Sequence, residues 1–463
     1  MFKTQFYGGK INLLYSDTDF KRVNNLFSAQ IGFMTFMGQI PFKLEKYLPK
    51  SLYTFGWLLA RFYCAFVVLQ TLHLALLFIK TTIDMLLYGK LEEITDSLTM
   101  AIIYSFSCFA TCYWQWRSVR LVQLLQDINN KYRHHSLVGL TFVSARTAYR
   151  NARNVTIYWL IACISGVMFW GMAPIILHSH TLPLKCWYPF DALQPFVYEL
   201  VYALQLLGQL NMGTTFGNGS ALFVSIVIIM LGQFDVLFCS LKNLDVHARL
   251  FAGENIVSLQ TQREHYSEIS ELNQYLHAEE LQTSEDTLTL LSQKCKREPK
   301  QIKQALQEAF IECVHLHRFI IESCNMLEEL FNPYCLVKSL QITMQLCLLV
   351  FVGVAGEGST VRSINLVQYL ALTLSELLMF TYCGELLRNH SVRSGDAFWR
   401  SDWWTHGKYI RKEIVIFLIN SQRYVRITAG KFYLMDVERL RSVVAQAFSF
   451  LTLLQKLAAK NNK

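Results

Sequence analysis

Seven stretches of the sequence are long and apolar enough to cross a bilayer, each spanning the roughly 20 residues that a crossing needs. They lie near residues 55–79, 94–115, 155–178, 196–240, 335–356, 364–387 and 433–457. A soluble chain carries about 25% charged residues; this one has 17%, against 52% hydrophobic. The expected fold class is therefore all-α, a seven-transmembrane-helix membrane protein in a lipid bilayer. The fourth stretch is too long for one simple crossing and is expected to continue past the lipid. It contains LNMGTTFGNGS, where Gly213 and Gly217 form a GxxxG suited to close helix contact or a bend. The seventh is the least apolar of the set.

Orientation follows from the loops. Seven Lys/Arg precede the first stretch and seven more fall in 116–154, while 179–195 has only Lys185 and 357–363 only Arg362. The positive-inside rule puts the N-terminus in the cytosol, and seven crossings then leave the C-terminus outside. That is the reverse of a G-protein-coupled receptor. The net charge of +9 comes from blocks that flank apolar runs rather than one basic face, so no nucleic-acid partner is expected. The cysteines fall mostly in apolar helices or in segments assigned to the cytosol, and Cys186 has no external partner for a disulfide. The sequons at Asn154, Asn218 and Asn389 all fall where this topology places no glycan.

Four regions follow: a cytosolic N-terminal region (1–54), helices one to four (55–240), a cytosolic segment (241–334), and helices five to seven (335–463). In the third, LKNLDVHARLFAGENIVSLQ reads as a prolongation of the fourth helix, and the polar HAEELQTSEDTLTLLSQKCKREPK (277–300), within a long 258–300 insertion, reads as a flexible loop. After Pro299, helical spacing from Ile302 to Leu316 runs on into the fifth crossing. No phosphate-binding glycine loop or nucleophile constellation is present, so no enzyme activity and no cofactor are expected. His315 and His317 would leave a helix on different faces, so no metal site is expected there.

The last helix carries a polar stripe. At 100° per residue Ser442, Gln446, Ser449, Leu453 and Lys456 lie within roughly 80° of one another, with Leu457 at the edge. Such a stripe is costly against lipid and should face protein or water. Two readings fit: a helix–helix seam, or a pore wall that Leu453 and Leu457 narrow as a dewetting constriction. One such helix cannot enclose a channel, so the second reading requires several subunits around an axis.

The stretch SQRYVRITAGKFYLMDVERLRSVVAQAFSFLTLL (421–454) resembles the C-terminal signature of insect odorant receptors. KCWYPFDALQPFVYELVYALQ (185–205), HRFIIESCNMLEELFNPYCLVKSLQ (317–341) and FTYCGELLRNHS (380–391) agree in the same order. The resemblance covers essentially the whole chain. It implies the odorant-specific subunit of a ligand-gated, nonselective cation channel, in which tuning subunits and a shared co-receptor form a heterotetramer lined by the seventh helices. It further implies olfaction, the plasma membrane of olfactory sensory neurons, and a small volatile ligand for which an aromatic lining suits aromatic odorants. Carried over by position, the gate residues fall on Leu453 and Leu457. In the third helix Cys163, Gly166 and Trp170 reproduce a pocket-lining spacing of the family. Tyr104, Tyr202, Met212, Phe216 and Tyr369 are further candidates for the odorant pocket. The alternatives are a seven-helix metabotropic chemoreceptor or a co-receptor-like pore subunit.

Overall fold

The computed structural model describes residues 26–42, 52–89, 91–133, 142–176, 178–254, 279–281, 301–355, 360–401 and 403–461. Their helices, in chain order, are α1 (Ser28–Phe36), α2 (Tyr53–Tyr88), α3 (Leu91–Lys131), α4 (Arg146–Ile176), α5 (Val197–Lys242) and α6 (Leu244–Ala252). After them come α7 (Ile302–Ala355), α8 (Thr360–Trp399), α9 (Trp403–His406), α10 (Arg411–Ser421) and α11 (Val437–Asn461). Two small antiparallel pairs complete the described residues, β1 (Phe142–Ser144) with β2 (Glu279–Leu281) and β3 (Thr428–Ala429) with β4 (Tyr433–Leu434).

Helix α5 is the axis of the bundle. Its 46 residues extend roughly 70 Å, more than twice a hydrocarbon core. A helix apolar on every side must be enclosed, and 94% of the most apolar window of α5 is buried, against 22% for α4. Helices α3, α4, α7 and α8 pack along it. The GxxxG pair acts by close contact. A Cβ on Gly213 would sit 2.5 Å from Val167 Cγ2, and one on Gly217 3.0 Å from Leu160 Cδ2, both on α4.

The long helices run past the bilayer. Aromatic residues from α3 (Trp114), α5 (Phe223), α7 (Phe310, Phe331), α8 (Phe398) and α10 (Phe417) share one core. Helix α7 follows Pro299 and continues without a break for 54 residues, as its spacing indicated. The expected prolongation of the fourth helix differs: the chain breaks at Asn243, and α6 starts as a separate helix. Within the 258–300 segment, Glu279–Leu281 is strand rather than loop, with Glu280 opposite Val143. The rest of that segment lies outside the described residues.

Part of the N-terminal region is built into the bundle. Gln30 Nε2 donates to Thr156 Oγ1 (2.7 Å) and Ser225 Oγ (2.8 Å). Fully buried Gln39 bonds Thr215 at 3.1 Å and Asn218 at 3.0 Å. Buried polar groups on α4 and α5 need such partners. The interior Asn218 amide of one sequon is one of them.

Among the described residues six helices are long and apolar enough to cross a membrane: α2, α3, α4, α5, α7 and α8. The protein is therefore a multi-pass membrane protein. The seventh expected crossing, α11, is not one of the six, because its polar residues interrupt the apolar run. A hairpin positions it. Gly430 and Lys431 have φ of 61° and 62°, the all-positive pattern of a tight hairpin turn, and Phe432 N–H bonds Ala429 O at 3.1 Å. The hairpin is bolted to α7 through Gly430 N–H on Asn332 O (3.1 Å) and Tyr433 Oη on Ser339 Oγ (2.9 Å). Asp436 Oδ1 then caps α11 by accepting Arg439 N–H at 3.0 Å.

Immediately before that cap, α8 meets backbone: a Cβ on Gly384 would lie 2.0 Å from Met435 O. Gly384→Ala should therefore destabilise the fold by about 1–3 kcal/mol, read as a lower unfolding temperature in detergent. An unchanged transition would disprove this close approach.

Candidate functional site

A cavity of about 560 Å³, counting its mouth, lies between α3, α4, α5, α7 and α8. Its wall is two-sided. Ile103, Cys163, Val167, Met212, Phe216 and Leu372 are apolar, whereas Gln345, Gln368, Thr373 and Glu376 bring polar atoms from α7 and α8. Gly166 and Gly213 leave room beside them, and Trp159 and Tyr369 add aromatic surface.

The carboxylate of Glu376 is held from beneath. Lys338 on α7 approaches it at 2.8 Å, with side chains only 2% and 6% exposed, and Ser220 of α5 donates to its other oxygen. The ammonium also lies 3.8 Å from the Phe216 ring centroid and 4.5 Å from that of Phe106. Ion pairing and cation–π contact together offset the desolvation of a charge within hydrocarbon. The cavity floor thus joins α5, α7 and α8 without presenting net charge.

Five residues expected in a pocket line this cavity: Cys163, Gly166, Met212, Phe216 and Tyr369. Three others stand behind the wall. Trp170 meets the Tyr369 ring edge-on at 5.4 Å and donates its indole N–H to Pro183 O at 3.1 Å, tying down the loop that follows α4. Tyr104 is fully buried and stacks on Phe78, and Tyr202 donates to Gly171 O. The loop after α4 is pinned further by Gln205, which exchanges two 3.0 Å bonds with the Leu184 backbone. In that loop, burial pushes the Cys186 thiol up to about 11, so it stays protonated at neutral pH.

Helix α11 presents two different faces. Val443, Ala447 and Leu451 are buried, the first two packing with Ile342 and Leu346 of α7 and Leu377 of α8. Gln446, Ser449, Leu453 and Lys456 are exposed, and Ser442 is half-buried. The buried seam and the polar stripe lie roughly 140° apart around the helix. The stripe therefore does not form the seam with its own subunit. The Leu457 side chain lies outside the described residues.

The architecture and the sequence agree with known proteins over nearly the full chain. The 7tm Odorant receptor family matches residues 90–448. The Drosophila melanogaster protein designated odorant receptor 85e is 52% identical, covering 100% of this chain and 99% of its own length. Odorant receptor 83a of the same fly is 34% identical over 84% of this chain and 86% of its own. The chain belongs to the odorant receptor family. Its fold is also similar to that of the insect olfactory receptor OR5 from Machilis hrabei, solved in complex with eugenol. That match has a TM-score of 0.69 at 13% identity and covers 96% of this chain and 100% of OR5.

In this odorant receptor, sequence reasoning missed the polar half of the cavity. A signal was available: Lys338 and Glu376 are charges inside otherwise apolar crossings, where ionisable residues are rare and tend to mark a function. Gln345, Gln368 and Thr373 had no such flag, because polar residues also glue helices. Breaking the pair leaves one buried charge unmatched. Lys338→Met should thus destabilise the receptor by about 3–5 kcal/mol, and adding Glu376→Gln should restore much of the loss. Thermal unfolding of the single and double variants in detergent checks this, and equal transitions for both would refute it.

Proposed function

We propose that this odorant receptor is the odorant-binding subunit of a ligand-gated, nonselective cation channel that it forms with a co-receptor subunit. The assembly is a heterotetramer in the plasma membrane of olfactory sensory neurons, with the N-terminus cytosolic and the C-terminus outside. The observation that carries the reading is the exposed polar stripe of α11. Gln446, Ser449 and Leu453 turn away from the subunit that holds the helix, and lipid is a poor solvent for the two polar side chains. A water-filled axis shared with other subunits satisfies them, with Leu453 and Leu457 closing it by dewetting.

The cavity supplies the ligand end. A small volatile held mainly by apolar burial gains about 25 cal/mol per Å² removed from water, and the aromatic surfaces of Trp159, Phe216 and Tyr369 suit aromatic odorants. A path to the gate is short. Gln345 lines the cavity on α7, next to Leu346, and Thr373 lines it on α8, one turn from Leu377. Leu346 and Leu377 pack against Val443 and Ala447 of α11. A ligand that fits the cavity better when α7 and α8 are displaced shifts α11 with them and favours the open state.

Two measurements test the reading. Odorants should evoke inward cation current from the chain co-expressed with a co-receptor and none from the chain alone. Responses that instead need a G protein would replace the channel with a metabotropic receptor. Leu453→Ser should raise the unliganded leak several-fold in patch-clamp recordings, since a wetted constriction loses its barrier. Basal and evoked currents identical to wild type would remove Leu453 from the gate.

A further inference from the structure

The polar atoms on the cavity wall are not equally engaged. Glu376 is satisfied by Lys338 and Ser220. Gln345 donates to Thr373 Oγ1 at 3.0 Å and accepts from Gln341, while Thr373 donates to Tyr369 O at 2.8 Å. Gln368 is different. It lines the same cavity, yet among the described residues its amide has no hydrogen-bond partner. The amide is seated against bare backbone: a Cβ on Gly166 would lie 2.6 Å from Gln368 Nε2 and 3.3 Å from its Cδ. A Cβ there would push the amide out of that seat. A second lining residue, Trp159, buries an indole N–H that also lacks a partner.

Gln368 is half-buried, and a ligand that fills the cavity and displaces the water at its amide must replace the hydrogen bonds lost. We infer that Gln368, seated over Gly166, is the specificity-determining residue of the cavity, and that it reads a single acceptor oxygen on an otherwise apolar odorant. The ligand class is a small neutral carbonyl compound. Acceptor chemistry is favoured because the Gln368 amide can donate and the unpartnered Trp159 indole N–H can only donate. Charged ligands are disfavoured, because the one ionised group on the wall is already neutralised by Lys338. The oxygen bonds Gln368 while the hydrocarbon body lies against Val167, Met212 and Phe216. A site built to hydrogen-bond an oxygen discriminates strongly against the analogue that lacks it.

This inference rests on the odorant-receptor reading, and the experiment separates the two. The chain is co-expressed with a co-receptor and challenged with matched pairs in which C=O is replaced by C=CH₂. Acetophenone against α-methylstyrene and methyl cyclohexyl ketone against isopropenylcyclohexane are two such pairs. Any other carbonyl odorant that proves active is paired with its own methylene analogue. Wild type should respond at lower concentration to the ketone. Gln368→Leu should cut ketone sensitivity by roughly five- to tenfold, the worth of one hydrogen bond, and leave the alkene within about twofold. Gln368→Met provides the same test if the leucine variant fails to reach the surface, which surface labelling reports. An unchanged ketone-to-alkene ratio, or a wild-type profile confined to hydrocarbons, overturns the role of Gln368 while leaving the receptor intact. Silence of wild type to every odorant sinks the receptor reading, and this inference with it.

Discussion

Helix α5 has almost no lipid-facing side, and the positions of the other helices follow from how closely they approach it. In hydrocarbon, apolar side chains gain little by leaving lipid for one another, so small residues and polar contacts decide which helices meet. Three glycines of α5 each admit a different neighbour. Gly208 faces Leu74 of α2, Gly213 faces Val167 of α4, and Gly219 faces the Tyr334 hydroxyl of α7. Along the same helix Thr215, Asn218 and Ser225 bond Gln39 and Gln30 from the N-terminal segment. One face of the helix is shaped for contact and another is satisfied by hydrogen bonds. The cavity lies beside this axis, lined by residues of α3, α4, α5, α7 and α8.

The same helix explains why the cavity has a polar floor. Ser220 of α5, Lys338 of α7 and Glu376 of α8 converge on one point, so three helices are held by interactions that lose much of their strength if any helix shifts. Buried ion pairs are geometrically demanding rather than strongly stabilising. Placed at the base of a ligand chamber, the pair fixes the relative positions of α7 and α8. These two helices carry the polar wall above it and the seam with α11 beside it. The cavity wall and the position of α11 are thereby referred to one point.

Legibility in the sequence followed the range of the physics involved. The helices were readable because each depends on local composition. The long helix α7 from Ile302 was visible in its spacing after Pro299, and the close-contact role of Gly213 and Gly217 in their separation. Cys163, Gly166, Met212, Phe216 and Tyr369 reach the cavity wall. Trp170, Tyr104 and Tyr202 share their chemistry and helical positions but stand one layer back, because which face of a helix looks into a void depends on its neighbours. The pairing of Glu279–Leu281 with Phe142–Ser144 was unreadable for the same reason: more than 130 residues separate the two strands, and neither is strongly patterned.

What the sequence determined by itself is therefore where the six long apolar helices lie, the charge asymmetry of the loops, and the polar stripe of the last helix. Each is a property of one segment and its solvent. The tertiary structure alone decided that this stripe turns outward from its own subunit, that Lys338 meets Glu376 across two helices, and that Gln368 sits unpartnered over Gly166. Those are relations between segments, fixed by where side chains of different helices come within a few ångströms of each other.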